Sequence, residues 1–272
     1  MNLPNQEKQR LKNKYGDWAI VTGASSGIGL ELATQLAAAG FNLILNARNE
    51  ARLLTVEQQL KSHNIAIKSV VADLSDKEGV EKIIQATQGL KIGLLINNAG
   101  FGTSGSFVDA SLDLEVNLLR VNCEAVLALT HFFAKQFKQQ GRGGIIFLSS
   151  LVAFQGVPYA ANYAASKAYI QTFAEALAVE LKPFGVDVLA AAPGPVETGF
   201  GQRANMIMDN AMLPEQLGVP ILAALGKQTN VVPGLLSKVL TYALRTAPRF
   251  MKVKIMQKVM GGFTKHQRSG TG

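Results

Sequence analysis

Cysteine and histidine are scarce in this chain: Cys123 is the one thiol, and only His63, His131 and His266 carry imidazoles among 272 residues. A single thiol excludes an internal disulfide and any zinc site built from several thiolates, and the scattered histidines show no metal-ligand spacing. No metal centre is expected. Long hydrophobic runs are missing too. None approaches the roughly 18 residues of a membrane-spanning helix, and the polar segment before Trp18 lacks the apolar stretch of a secretion signal. Both absences point to a soluble, cytoplasmic protein. There is no linker rich in proline, glycine or serine and no internal repeat, so residues 1–267 are expected to form one domain. Acidic residues stop at Glu215, while nine lysines and arginines follow it, from Lys227 to Arg268. The net charge of +8 therefore divides into +9 for the tail and −1 for everything before it. The last residues, RSGTG from Arg268 to Gly272, read as a cloning remnant.

What is present is a regular alternation of apolar runs and helical patterns, in a chain whose 48% hydrophobic content is ample for a core. Asp17 to Thr22, Phe41 to Ala47, Ile65 to Ala72, Ile92 to Ile96, the GGIIFLS run ending at Ser149, Val186 to Ala191 and Thr229 to Val232 read as strands. Helical stretches separate them. This predicts an α/β protein with a doubly wound fold: a mainly parallel sheet of six to seven strands, helices on both faces, and a basic helical extension at the end. Ser111 to Gln140 reads as one long helix with apolar residues on more than one side, as packing on both a sheet and a second subunit would require. Met1 to Gly16 reads as a short helix or a solvated arm.

The first strand runs into TGASSGIG, whose glycines at 23, 27 and 29 permit a tight turn and close backbone approach before a helix opens. The free N–H groups of that helix favour a pyrophosphate, making Gly23, Ser25, Ser26, Gly27, Ile28 and Gly29 candidate dinucleotide contacts. The residue at the end of the second strand selects between dinucleotides. An acidic residue would accept from a ribose 2′-hydroxyl and repel a 2′-phosphate, whereas this chain places Arg48 there. A guanidinium pairs with a phosphate, so NADP(H) is expected rather than NAD(H).

The chemistry centres on NYAASK within a long helical stretch, where Tyr163 and Lys167 lie four residues apart and share one helix face. A free phenol ionises near about 10, too high for a good proton shuttle, and a neighbouring ammonium is expected to pull that value down. Ser150 stands thirteen residues before Tyr163, just beyond a buried strand. Strand carboxyl ends line the ligand crevice of an open parallel sheet, so its hydroxyl can meet the same substrate oxygen.

With TGASSGIG, NNAG, Ser150 and the YxxxK pair in this order, the chain resembles the short-chain dehydrogenase/reductase family, strongly from Asp17 to about Phe200. The resemblance implies a hydride transfer between NADPH and a carbonyl carbon, with Tyr163 as proton donor, Ser150 on the oxygen, and Lys167 on the nicotinamide ribose. It implies adenine contacts from Asp73 and Leu74, and close backbone approach to the dinucleotide at Asn98, Ala99 and Gly100. Asn122 matches the family's fourth catalytic residue, which holds a water beside the lysine; a core asparagine bonded only to backbone is the alternative. Pro193, Gly194, Val196 and Thr198 match the loop over the nicotinamide.

Residues 199–226, with Met206, Ile207, Met208 and Met212, read either as a lid over an apolar substrate pocket or as a surface helix whose methionines fill core. The apolar lid and basic tail resemble the branch of the family that reduces 3-oxoacyl thioesters or hydroxysteroid-like ketones, which implies a lipophilic ketone or aldehyde as substrate. The ending that builds a tetramer in many family members is missing, which leaves a tetramer open and a homodimer through the helices bearing Asn122 and Tyr163 expected. The tail from about 234 to 267 allows three roles: helices closing the pocket behind a solvated face, an anionic membrane surface site, or a dock for an acidic carrier protein. It has little aromatic interleaving and no recognition motif, so nucleic acid is not expected. A weakly catalytic NADP(H)-binding protein and a peripheral membrane protein acting through its tail are the competing functional classes.

Overall fold

A computed structural model of the chain describes residues 2–208 and 211–268. Asp209 and Asn210 of the expected lid, and 269–272 of the expected remnant, lie outside the described residues. The strands are β1 (Trp18–Thr22), β2 (Asn42–Ala47), β3 (Ile67–Val71), β4 (Ile92–Asn97), β5 (Gly143–Leu148), β6 (Val186–Ala191) and β7 (Asn230–Val231). They form one sheet in the order β3-β2-β1-β4-β5-β6-β7, and every pairing is parallel. β4 and β5 are buried along their whole length, as a parallel sheet covered on both faces demands of its central strands. The direction of winding reverses between β1 and β4, which opens a crevice at their carboxyl ends.

The helices are α1 (Asn5–Tyr15), α2 (Gly27–Ala38), α3 (Glu50–Leu60), α4 (Lys77–Ala86), α5 (Leu112–Leu119), α6 (Ala125–Gln140), α7 (Ala161–Leu181), α8 (Gly199–Arg203), α9 (Gly218–Ala224), α10 (Leu235–Arg245), α11 (Arg249–Phe263) and α12 (Lys265–Arg268). One face of the sheet packs α4, α5, α6 and α7 around Phe133, Phe137, Phe147 and Ile170. The other packs α1, α2, α3 and α9 around Leu11, Leu36, Leu45 and Ile221.

Three local outcomes settle or differ from the sequence expectations. The first is α1, where the short helix holds and the solvated arm does not: Leu11 and Tyr15 are wholly buried. Tyr15 Oη donates to Asp187 at 2.7 Å, and Arg10 donates to the Leu225 carbonyl at 2.8 Å. A Cβ on Gly93 would lie 1.4 Å from the Tyr15 carbonyl oxygen, so α1 ends backbone to backbone against β4. The polar composition of the segment conceals one i, i+4 apolar pair that suffices to dock it. Second, the long helix runs from α5 to α6 through a π-helical turn, Arg120–Glu124, whose extra residue per turn shifts the helix face and leaves Asn122 buried. Third, where the sequence predicts a short helix from Leu217 to Leu225 broken near Pro220, α9 is unbroken; Pro220 sits in its first turn, where a backbone N–H has no intrahelical partner to lose.

Candidate active site

The crevice is a cavity of about 1260 Å³ that runs from the end of β2, across the glycine turn, to α10 and α11. Its nucleotide end is built from backbone. α2 opens at Ser26 with no side-chain cap, so its first N–H groups are left for a ligand. Gly27 has φ +57° and faces Thr198, where a Cβ would come within 2.7 Å of the threonine methyl. A Cβ on Gly29 would sit 2.2 Å from the Gly23 carbonyl, so the turn closes only on glycine. Asn98 Nδ2 donates to the carbonyls of Thr22 and Gly23 at 2.8 and 3.2 Å, while the amides of Asn98 and Ala99 donate to Thr22 Oγ1 at 3.0 Å. NNAG thus braces the glycine turn from β4.

Arg48 and Asp73, read separately as contacts to a 2′-phosphate and to adenine, meet in an ion pair of 3.3 Å at this end. Burial works against the Asp73 carboxylate, but the Ser75 amide and hydroxyl and the Arg48 guanidinium more than offset it and hold the group below the usual range. A third charged group joins them. Arg203, at the end of α8, lies over the Phe101 ring at 3.8 Å and lines the same cavity. Burial lowers its pKa, with a further push from Arg48. Neither Arg203 nor Phe101 belongs to any motif; a basic residue in the last turn after a threonine cap is the only signal the sequence carries for it.

At the chemical end, α7 carries Tyr163 and Lys167 inward, both under a tenth exposed. Ser150 follows β5 and opens the short 3₁₀ turn Leu151–Phe154, its Oγ accepting from the Val152 amide at 3.4 Å. Here an expectation is corrected. Burial pushes the Tyr163 phenol up to about 12, outweighing the Ser150 hydroxyl that pulls it back. Lys167 Nζ donates to the Leu148 carbonyl at 2.7 Å and lies 5.9 Å from the centre of the Tyr163 ring; burial depresses its own pKa to about 8. Desolvation outweighs the ammonium because both groups sit inside the same apolar wall.

Asn122 lies behind that wall. Its Oδ1 accepts from the Phe101 amide at 3.1 Å, and its Nδ2 donates to the Phe101 carbonyl at 2.9 Å and to Ser166 Oγ at 3.1 Å. A Cβ on Gly100 would stand 2.9 Å from Asn122 Oδ1 and 3.6 Å from Lys167 Nζ, so both side chains flank one point that glycine leaves open.

The loop after β6 is clamped: Glu197 N donates to the Met212 carbonyl at 2.8 Å and Met212 N to the Pro195 carbonyl at 2.9 Å. Thr198 caps α8 by accepting from Phe200 N at 3.2 Å, and this sets the Phe200 ring 5.2 Å from that of Tyr163. Of the expected site residues, Gly23, Ser25, Ser26, Gly27, Ile28, Arg48, Asp73, Leu74, Asn98, Ala99, Gly100, Ser150, Tyr163, Lys167, Pro193, Gly194, Val196 and Thr198 line the cavity. The expected lid divides. Met206 and Met208 line the cavity, whereas Leu217, Ile221 and Leu222 belong to the core beneath α2 on the other side of the sheet. The far wall comes from the tail: Thr241, Tyr242, Ile255, Met256, Val259 and Phe263.

Comparison with known proteins agrees with this geometry. Residues 17–207 match the profile of the family described as short chain dehydrogenase. A very-long-chain 3-oxoacyl-CoA reductase of Neurospora crassa is 36% identical over 226 residues, covering 80% of this chain. The chain spans 66% of that relative's length, and 65% and 55% of two further fungal reductases of the same name. A solved 7beta-hydroxysteroid dehydrogenase superposes with a TM-score of 0.83 at 27% identity, covering 90% of this chain and 98% of that one. A short-chain dehydrogenase from Sphingobium yanoikuyae, solved with NADPH, superposes with a TM-score of 0.77 at 29% identity, covering 85% and 98%.

Proposed function

Because the chain belongs to the short-chain dehydrogenase family, we propose that it is an NADP(H)-dependent oxidoreductase that interconverts a lipophilic ketone or aldehyde with its alcohol. The observation that carries this reading is the placement of the Tyr163 phenol, the Ser150 hydroxyl and the Arg48 guanidinium on the wall of one cavity. The cavity suits the dinucleotide: an uncapped helix start, a glycine turn that lines it through Gly23 and Gly27, and a cation at the end of β2. In this reading the Gly23 to Gly29 turn holds the pyrophosphate, Arg48 the 2′-phosphate, and Asp73 with Leu74 the adenine. Asn98 to Gly100 lie against the sugar, Lys167 binds the nicotinamide ribose, and the Pro193 to Thr198 loop holds the carboxamide. The NADPH complex of a structural neighbour supports the cofactor. When bound, NADPH supplies the hydride that reduces the carbonyl carbon.

The chain's own residues handle the proton. Tyr163, kept protonated by burial, donates to the substrate oxygen, and the Ser150 hydroxyl hydrogen-bonds that oxygen as charge develops on it. Lys167, a cation below about pH 8, stabilises the phenolate left behind. Lys167 and a water at the point it shares with Asn122 return the proton. Phe200, Met206, Met208 and Met256 exclude solvent and favour an apolar substrate. Relatives named for 3-oxoacyl-CoA and hydroxysteroid substrates support a lipophilic ketone. We read residues 1–267 as one unit working as a homodimer; Leu112, Leu119 and Leu127 on α5 and α6, and Val179 on α7, leave an outward apolar face for a second copy.

Tyr163→Phe tests the assignment. Turnover of a ketone panel graded by chain length, followed by NADPH oxidation with NADH as control, should fall by about 10³-fold or more. NADPH affinity should stay within about twofold, since only a hydroxyl is removed. Turnover persisting at a few per cent of wild type would remove Tyr163 from the proton step.

A further inference from the structure

We infer that the outward sides of α10 and α11 dock on an anionic lipid bilayer and that the cavity takes its ketone from that bilayer. The inner sides of the two helices are fixed, because Ser237 and Met260 are buried and Met256 and Phe263 pack on the core. Their outward sides are apolar in the open: Leu235 is 80% exposed, Tyr242 and Phe250 are each 63% exposed, and Val239, Met251, Ile255 and Val259 are exposed as well. Single exposed apolar side chains are ordinary on a soluble protein; this density within two successive helices marks an interaction surface. Exposed Lys238, Arg249, Lys254 and Lys258 lie among them, and no acidic residue follows Glu215.

Charge decides which partner fits. A second copy would bring a like-charged tail against this one. An acidic carrier protein would satisfy the lysines but leave Leu235 and Phe250 without a role. Anionic headgroups above acyl chains meet both. Among the described residues no helix is long and apolar enough to cross a membrane, so the contact is peripheral. Tyr242, Ile255 and Val259 are exposed and also line the cavity, which makes the patch continuous with the cavity mouth. A lipophilic ketone then passes from lipid to Tyr163 without entering bulk water. The docking itself stands on the surface alone; the delivery of substrate rests on the proposed ketone reduction.

The full chain is floated with vesicles of phosphatidylcholine and phosphatidylglycerol (roughly 7:3) and of phosphatidylcholine alone, at low and high salt. About tenfold more protein should float with the anionic vesicles, and high salt should release much of it. Leu235→Ser with Phe250→Ser, and separately Lys254→Glu with Lys258→Glu, should lose flotation while keeping NADPH affinity, melting temperature and turnover of a small water-soluble ketone. None of these four residues lines the cavity. Turnover of a ketone carried in anionic vesicles should fall in the same variants. The inference is overturned if flotation is absent, equal with neutral vesicles, or unchanged in the variants. It is also overturned if Leu235→Ser with Phe250→Ser instead dissolves a dimer, or if the chain binds an acidic carrier protein and no vesicle. Flotation intact alongside an active Tyr163→Phe enzyme would leave the docking standing and sink the reaction.

Discussion

The two ends of the cavity are built on opposite principles. At the nucleotide end, backbone does the recognition: an uncapped helix start, glycines that no other residue can replace, and Asn98 tying β4 to the turn. At the substrate end, side chains from α8, α10 and α11 close the space, and no motif specifies them. Backbone geometry tolerates few residue types, so the first end carries signatures. A wall of apolar side chains tolerates many, so the second end can be altered without disturbing the first. The lesson is that cofactor and substrate binding should be separable by mutation.

The largest effect that would sharpen this contrast is expected from Gly29→Ala. Its Cβ has nowhere to go but into the Gly23 carbonyl. NADPH affinity measured by fluorescence should fall about a hundredfold or more, with a drop in melting temperature, since backbone must move. Arg48→Ala should weaken NADPH by about 10- to 100-fold, the worth of one charge-assisted contact, and leave NADH nearly unchanged. Equal losses for both cofactors would mean that Arg48 serves only its ion pair with Asp73. At the other end, Met256→Ala should raise KM for a long-chain ketone about tenfold with NADPH affinity unmoved. A parallel loss of cofactor binding would break the separation between the two ends.

The smallest expected effect is on pH. Lys167 is held to about 8 by burial, so it is charged below that pH and neutral above it. The charge stabilises the anion left when Tyr163 gives up its proton. The kcat/KM for reduction should therefore be level on the acid side of 8 and decline on the alkaline side, and Lys167→Arg should move the break upward, because a guanidinium keeps its proton. The phenol, pushed to about 12, stays protonated throughout that window and should contribute no break of its own.

The strands, the glycine turn and the Tyr163/Lys167 pair could be read from spacing, because each depends on contacts a few residues apart or on an uninterrupted apolar run; NNAG is legible only through the family resemblance, since Asn98 bonds Thr22 and Gly23 from a distant part of the chain. The failures share a different cause. The start of the chain left helix and solvated arm both open because two buried side chains, Leu11 and Tyr15, sit in an otherwise charged helix. Arg203 over Phe101 was missed because the two are about a hundred residues apart and meet only when α8 lies on the turn after β4. The lysine's pull on the phenol was overestimated because spacing gives proximity and not dielectric.

Local order along the chain therefore determined which residues form the dinucleotide turn and which helix face bears the phenol and the ammonium. That followed from backbone sterics and helical periodicity, which act over a few residues. The tertiary structure alone decided how acidic those groups are, that Arg48 pairs with Asp73, and that the basic tail forms the far wall of the cavity while leaving Leu235, Val239 and Phe250 exposed outside it. Desolvation and long-range packing depend on what surrounds a group in space, and neighbours in space are set by the whole fold.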